Sequence, residues 1–130
     1  MEKQDYVQYW KTTASGDWKR VNLLLKNRDY VFALFCAHLT LEKLLKAHWV
    51  KDNAENFPPK IHNLVALLRQ TSLEFSEDET AFLIDMNTFQ LEGRYPDYQR
   101  KIYKAYRALK TQQIISRCKK IRRFLLKELQ

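Results

Sequence analysis

At 130 residues the chain has the length of a single domain, and 45% hydrophobic content with 3 Trp, 7 Tyr and 7 Phe is enough to build a core. Two Gly and three Pro leave few places for the tight turns that a sandwich or barrel needs, so the composition favours long helices. The net charge of +8 is concentrated: residues 98–130 hold eleven Lys or Arg against Glu128 alone, while residues 1–97 hold twelve against fourteen acids. Such asymmetry fits an anionic partner, nucleic acid being the commonest, and equally fits a solvated helix face.

The first predicted element covers about residues 4–26, where Tyr6, Trp10, Ala14, Trp18, Val21 and Leu25 recur at spacings of one helix face. Gly16 and Asp17 fall inside it and are expected to kink the helix or divide it. A second helix is predicted from about Asp29 to Asp52. Its first half, Tyr30 to Ala37, is apolar on every side, as in a helix enclosed by neighbours, and its second half, His38 to Lys51, reads as amphipathic. Pro58 and Pro59 stop the pattern, because a ring nitrogen without a proton cannot continue the ladder. A short helix follows over about His62 to Thr71. Ser76 and Glu79 have capping-box spacing and start a helix that runs to about Gly93, with Phe82, Leu83, Met86 and Phe89 facing inward. Arg94-Tyr95-Pro96-Asp97 ends it, since the residue before a proline is pushed out of the helical region. One last helix is predicted from Asp97 or Tyr98 to Leu129, with Ile102, Ala105, Tyr106, Leu109, Ile114, Cys118, Ile121 and Leu125 inward and the basic residues outward. The sum is an all-α, antiparallel, up-and-down bundle of four to five helices in one domain, 1–130.

Several chemistries are set aside by the same reading. No run approaches the roughly 20 apolar residues a membrane span needs. The start, Met1-Glu2-Lys3-Gln4-Asp5, is charged with no apolar run behind it, unlike a secretory signal, so a cytoplasmic location is expected. Cys36 and Cys118 lack any paired spacing and read as small buried hydrophobes. His38 and Glu42 could meet one ion, but no second ligand pair has recognisable spacing, so neither metal nor cofactor is expected.

Three polar groups carry possible chemistry. His38, Glu42 and Lys46 are spaced i, i+4, i+8 on one face of the second helix, with Lys43 beside them; a Glu four residues before a Lys is also an ordinary intrahelical ion pair. Lys60-Ile61-His62-Asn63 follows the prolines, and His62 can be a base, a phosphate contact or a residue packed at a helix start. Arg94, where a helix breaks, can grip phosphate oxygens through two parallel hydrogen bonds, or can pair with Asp97 or cap the helix before it.

Taken together these residues resemble the HEPN family, the small helical domains found beside minimal nucleotidyltransferases. The resemblance rests on Trp10 and Asp17, on Glu42-Lys43-x-x-Lys46-Ala47, on His62-x-Leu64 and on Arg94-Tyr95-Pro96-Asp97, and it covers nearly the whole chain. It implies a homodimer with a cleft near the subunit interface that binds a nucleotide or RNA phosphate through Arg94, Lys46, Lys43 and Tyr95, supported by Asp97 and His38. It also implies a separate nucleotidyltransferase partner and a toxin–antitoxin-like role. Many members are metal-independent endoribonucleases with an Arg, four to six residues, then a His. No His follows Arg94 here. The candidates for catalysis are then Arg94, His62 and Glu42, and the sequence leaves open an altered ribonuclease, a binding domain without catalysis, or a protein-interaction module.

Overall fold

The computed structural model describes residues 1–92 and 101–130, the side chains of residues 91, 92, 102 and 103 excepted. The chain is all-helical: α1 (Lys3–Lys26), α2 (Tyr30–Asp52), α3 (Leu64–Leu68), α4 (Glu77–Glu92), α5 (Lys101–Ala105) and α6 (Ala108–Lys127). Among the described residues no strand occurs. α1 and α2 form an antiparallel hairpin, with Lys3 beside Val50. α4 lies antiparallel to α2, with Asn87 against His38, and antiparallel to α6, with Asp78 against Arg117 and Phe89 against Tyr106.

The α1 stripe forms as its spacing predicts: Ala14, Trp18 and Val21 are buried and Tyr6, Trp10 and Leu25 half-buried. The expected break at Gly16 and Asp17 does not occur. Asp17 is 4% exposed, and Lys43 and Arg20 ion-pair with its carboxylate, so the acid is held without disturbing the helix. The turn after α1 closes it with Arg28 N–H donating to the Leu25 carbonyl at 3.1 Å and Asp29 N–H to the Leu24 carbonyl at 2.9 Å. Arg28 there takes φ 58°, the left-handed conformation that this termination requires and that glycine adopts most easily. At the far end of the hairpin the Lys3 ammonium sits among four oxygens. They are the carbonyls of Val50, Asn53 and Glu55 at 2.8, 2.8 and 3.1 Å and Asn56 Oδ1 at 2.9 Å. It thereby satisfies carbonyls that the end of α2 would leave unpaired.

α2 is the central element, and here the amphipathic reading of its second half is corrected. His38, Thr40, Glu42, Lys46 and His48 are all buried alongside Leu41, Leu44, Leu45, Ala47, Trp49 and Val50. Neighbours from α1, α3, α4 and α6 enclose it, and the polar side chains face them rather than water. α3 is shorter than its predicted span, because Asn63 caps it by accepting from Ala66 N–H at 3.0 Å and the helical hydrogen bonding ends at Arg69. α4 starts on the predicted capping box: Glu79 N–H donates to Ser76 Oγ and Ser76 N–H to Glu79 Oε1, both at 3.1 Å.

The last predicted helix is two. α5 ends at Ala105, and Arg107 takes an extended conformation (φ −97°, ψ −179°) before α6. Cys118, Ile121 and Leu125 are buried as expected, Tyr106 and Ile114 pack half-buried against the core, and Thr111 and Ile115 join the inward face. Leu109, expected inside, is 71% exposed, and Ala105 is also at the surface. No helix among the described residues is long and apolar enough to cross a membrane.

A β-carbon in the left-handed region costs roughly 1–2 kcal/mol. Arg28→Gly is therefore expected to raise stability by about 1 kcal/mol after the added unfolded-state entropy of glycine is subtracted. A urea midpoint that falls instead would show that the Arg28 side chain itself holds the turn.

Candidate functional site

Glu42 organises the polar interior. Its position on α2, one turn after His38 and one before Lys46, puts all three on the same side of the helix. The Glu42 carboxylate is buried, and Lys46 Nζ reaches Oε2 at 3.0 Å. From the segment before α3, His62 Nδ1 lies 3.0 Å from Oε1 and 3.2 Å from Oε2. That spacing fits Nδ1–H donating to the carboxylate, and Nε2 has no hydrogen-bond partner among the described residues. The His62 side chain is 42% exposed whereas Glu42 is 5% exposed, so the pair joins a buried charge to a solvent-facing imidazole. On its other side Lys46 lies 5.4 Å from the centre of the Trp10 ring, where the indole face attracts the ammonium.

His38 is wholly buried beneath this cluster. Its Nε2 is 3.4 Å from Asn87 Oδ1, and its Nδ1, 3.8 Å from Glu42 Oε1, makes no hydrogen bond. The network assigns the proton to Nε2 and a neutral ring, and burial, opposed by Glu42 and Asn87, pulls His38 below the ordinary imidazole value. Asn87 Oδ1 also accepts from Leu64 N–H at 3.0 Å, and Asn87 Nδ2 donates to Asn63 Oδ1 at 3.3 Å. One amide from α4 thus fixes both the His38 ring and the start of α3, which sets where His62 stands.

A second buried carboxylate lies further along the α1–α2 contact. Asp17 meets Lys43 Nζ at 2.6 Å and Arg20 at 2.8 Å. Each basic residue expected from α2 to hold phosphate therefore faces a protein carboxylate, Lys46 with Glu42 and Lys43 with Asp17. Arg94, Tyr95 and Asp97 lie outside the described residues. Among the described residues no group of three His, Cys, Asp or Glu side chains is arranged to hold a metal ion. The sequence pattern singles out His38, Glu42, Lys46 and His62, and the fold brings these four together. It misses Asn87, whose signal is a polar residue one position after the inward-facing Met86.

The HEPN domain family model matches residues 7–129 of this chain. Among solved structures, the crystal structure of TT1696 from Thermus thermophilus superposes with a TM-score of 0.75 at 18% identity, covering 95% of this chain and 98% of that one. Identity this low carries the fold alone. No functionally curated protein matches the chain significantly.

His48 is the second fully buried imidazole. Its Nε2 donates to the Leu125 carbonyl at 2.8 Å, and burial lowers it as well. Both rings are neutral in the fold while the unfolded chain takes up a proton near about 6.5. Their contribution is complete above that value and is lost as pH falls through it toward the lowered folded values. Unfolding free energy is expected to fall between pH 7.5 and 5.5, by at most about 1.4 kcal/mol per pH unit for each ring. His48→Gln should flatten the slope. Denaturant titrations across this range check it, and a level profile would contradict the neutral assignment.

Proposed function

This chain belongs to the HEPN domain family, and from that premise we propose that it binds the phosphate of a nucleotide or RNA beside Glu42. Arg94, Lys46 and Lys43 are the cationic contacts in this reading, Tyr95 and Asp97 flank them, and His62 and His38 order the site. The protein acts as a homodimer with its cleft near the interface. It works with a separate nucleotidyltransferase protein in a toxin–antitoxin-like pair.

The observation that carries the reading is the Glu42 carboxylate shared between Lys46 and the exposed edge of His62. Burying an ion pair is a poor way to gain stability, because the desolvation of both charges offsets most of their attraction. An ammonium has three N–H donors, and a single carboxylate contact leaves Lys46 able to donate to an arriving phosphate oxygen. The net positive α6 adds long-range attraction for an anion.

A specific contact favours ribonuclease chemistry as the second reading. Glu42 on His62 Nδ1 is the arrangement that orients an imidazole as a base. His62 Nε2 would take the 2′-hydroxyl proton as the 2′-oxygen attacks phosphorus, and the 5′-oxygen would leave with a proton returned from the imidazolium. Arg94 would stabilise the phosphorane charge, without a metal.

Arg94→Ala is expected to weaken ATP and the dinucleotide UpA by about tenfold or more, the worth of a charge-assisted contact, with the thermal midpoint unchanged. Calorimetric titration and a melting scan measure both. A sharp loss of stability with unchanged binding would make Arg94 a structural residue and remove the site. For the second reading, wild-type protein should cleave RNA in EDTA, and His62→Ala should lower the rate by about a hundredfold or more. RNA left intact at high protein concentration dismisses it.

A further inference from the structure

α1 carries a second polar face, pointing away from Trp10 and Asp17. α1 and α6 both pack on α2 and run antiparallel to each other, and a trough stays open between them. One part, ≈ 540 Å³, is lined by Lys11, Lys19 and Arg122, and the next, ≈ 320 Å³, by Trp18, Ile115 and Lys119. Lys11, Ser15 and Lys19 are spaced i, i+4, i+8, so they form one wall; Lys119 and Arg122 form the other. Among the described residues no Asp or Glu lines either part. From Gln8 to Leu25 the trough follows α1 for about 25 Å, at 1.5 Å per residue.

Arg122 is the informative residue. It is half-buried, with its guanidinium 5.2 Å from the centre of the Trp18 ring at the floor. Burial, and then the like charge of Arg123, pulls it below the ordinary guanidinium value. Among the described residues it forms no ion pair, although Arg20 and Arg117 each find a carboxylate. A partly desolvated cation without a counter-charge is unfavourable until an anion arrives.

We infer that this trough is a track for the phosphodiester backbone of a single nucleic-acid strand, separate from the Glu42 site. Cations on both walls can follow one chain of phosphates, while Thr12, Ser15 and Asn22 offer hydrogen bonds to sugar and phosphate oxygens. The floor is apolar, with Trp18 and Ile115 buried and Leu25 half-buried, so a base meets hydrocarbon there, whereas an acidic peptide's carboxylates gain nothing from it. A second copy of this chain would bring the same four cations against their equals and be repelled.

The probes are fluorescent twelve-nucleotide oligouridylate and oligothymidylate, titrated by anisotropy over a range of salt. Engagement of about four phosphates predicts a slope of log affinity on log salt near −3. Lys19→Glu with Lys119→Glu, both exposed positions, should weaken the strand by about tenfold or more and flatten the slope by about 1.4. Lys51→Glu with Arg69→Glu, exposed and off the trough, carries the same change in net charge and should leave affinity within about twofold. Tighter binding of the ribose or the deoxyribose strand assigns the track to RNA or DNA. The trough pair should change ATP affinity no more than the off-trough pair does, which separates this track from the Glu42 site. Equal losses from both variant pairs, or tighter binding of a duplex or of oligoglutamate, would overturn the track.

Discussion

The fold depends on one constraint: α2 is buried along nearly its whole length, yet it carries His38, Glu42, Lys46 and His48. A desolvated charge must be met by an opposite charge or by hydrogen bonds. Each neighbour of α2 is accordingly positioned by what it must supply. The segment before α3 brings His62 to Glu42, α4 brings Asn87 to His38, and α6 brings the Leu125 carbonyl to His48. α1 contributes Asp17 to Lys43 and the Trp10 ring to Lys46. The polar groups inside this bundle therefore fix the relative heights of helices that a purely apolar interface would let slide.

Much of this is legible from residue spacing. The α1 stripe, the burial of Val31, Ala33, Leu34, Cys36 and Ala37 at the front of α2, the proline stop and the Ser76–Glu79 cap all follow from local rules, because each is decided within one or two turns; Phe32, expected to be enclosed with them, is exposed. The second half of α2 misleads for the opposite reason. His, Glu and Lys look like a solvated face until partners distant in sequence enclose them. Gly16 and Asp17 look like a breaker pair, but the ion pairs that retain Asp17 inside an unbroken helix come from Lys43 and Arg20. The break at Arg107 has no Gly or Pro to announce it; it coincides with Tyr106 packing edge-on against Phe89 at 4.9 Å, a contact no local pattern contains. Of the site, the residues sharing one helix face are readable, whereas the Asn87 link requires knowing that α4 crosses α2 there.

Two electrostatic regimes divide the molecule at α1. On the side facing α2, Lys43 and Lys46 each have a carboxylate within reach, and charge is locally balanced. On the side facing α6, no acid among the described residues lines the two adjoining cavities that hold Lys11, Lys19, Lys119 and Arg122. Those four cations equal half of the chain's net charge of +8. Salt should screen that surface strongly and the enclosed Glu42–Lys46 pair weakly.

The Lys3 ammonium, ringed by carbonyl oxygens, acts as an internal counterpart of a bound alkali ion. It fastens the free end of the α1–α2 hairpin while the Arg28 turn fastens the other, so the pair is a frame closed at both ends. Opening that frame would require stripping the ammonium of several oxygens at once. Any rearrangement that accompanies ligand entry must then be taken up by the α3, α4 and α6 side of the bundle, and hydrogen exchange should be slowest where the frame is tied.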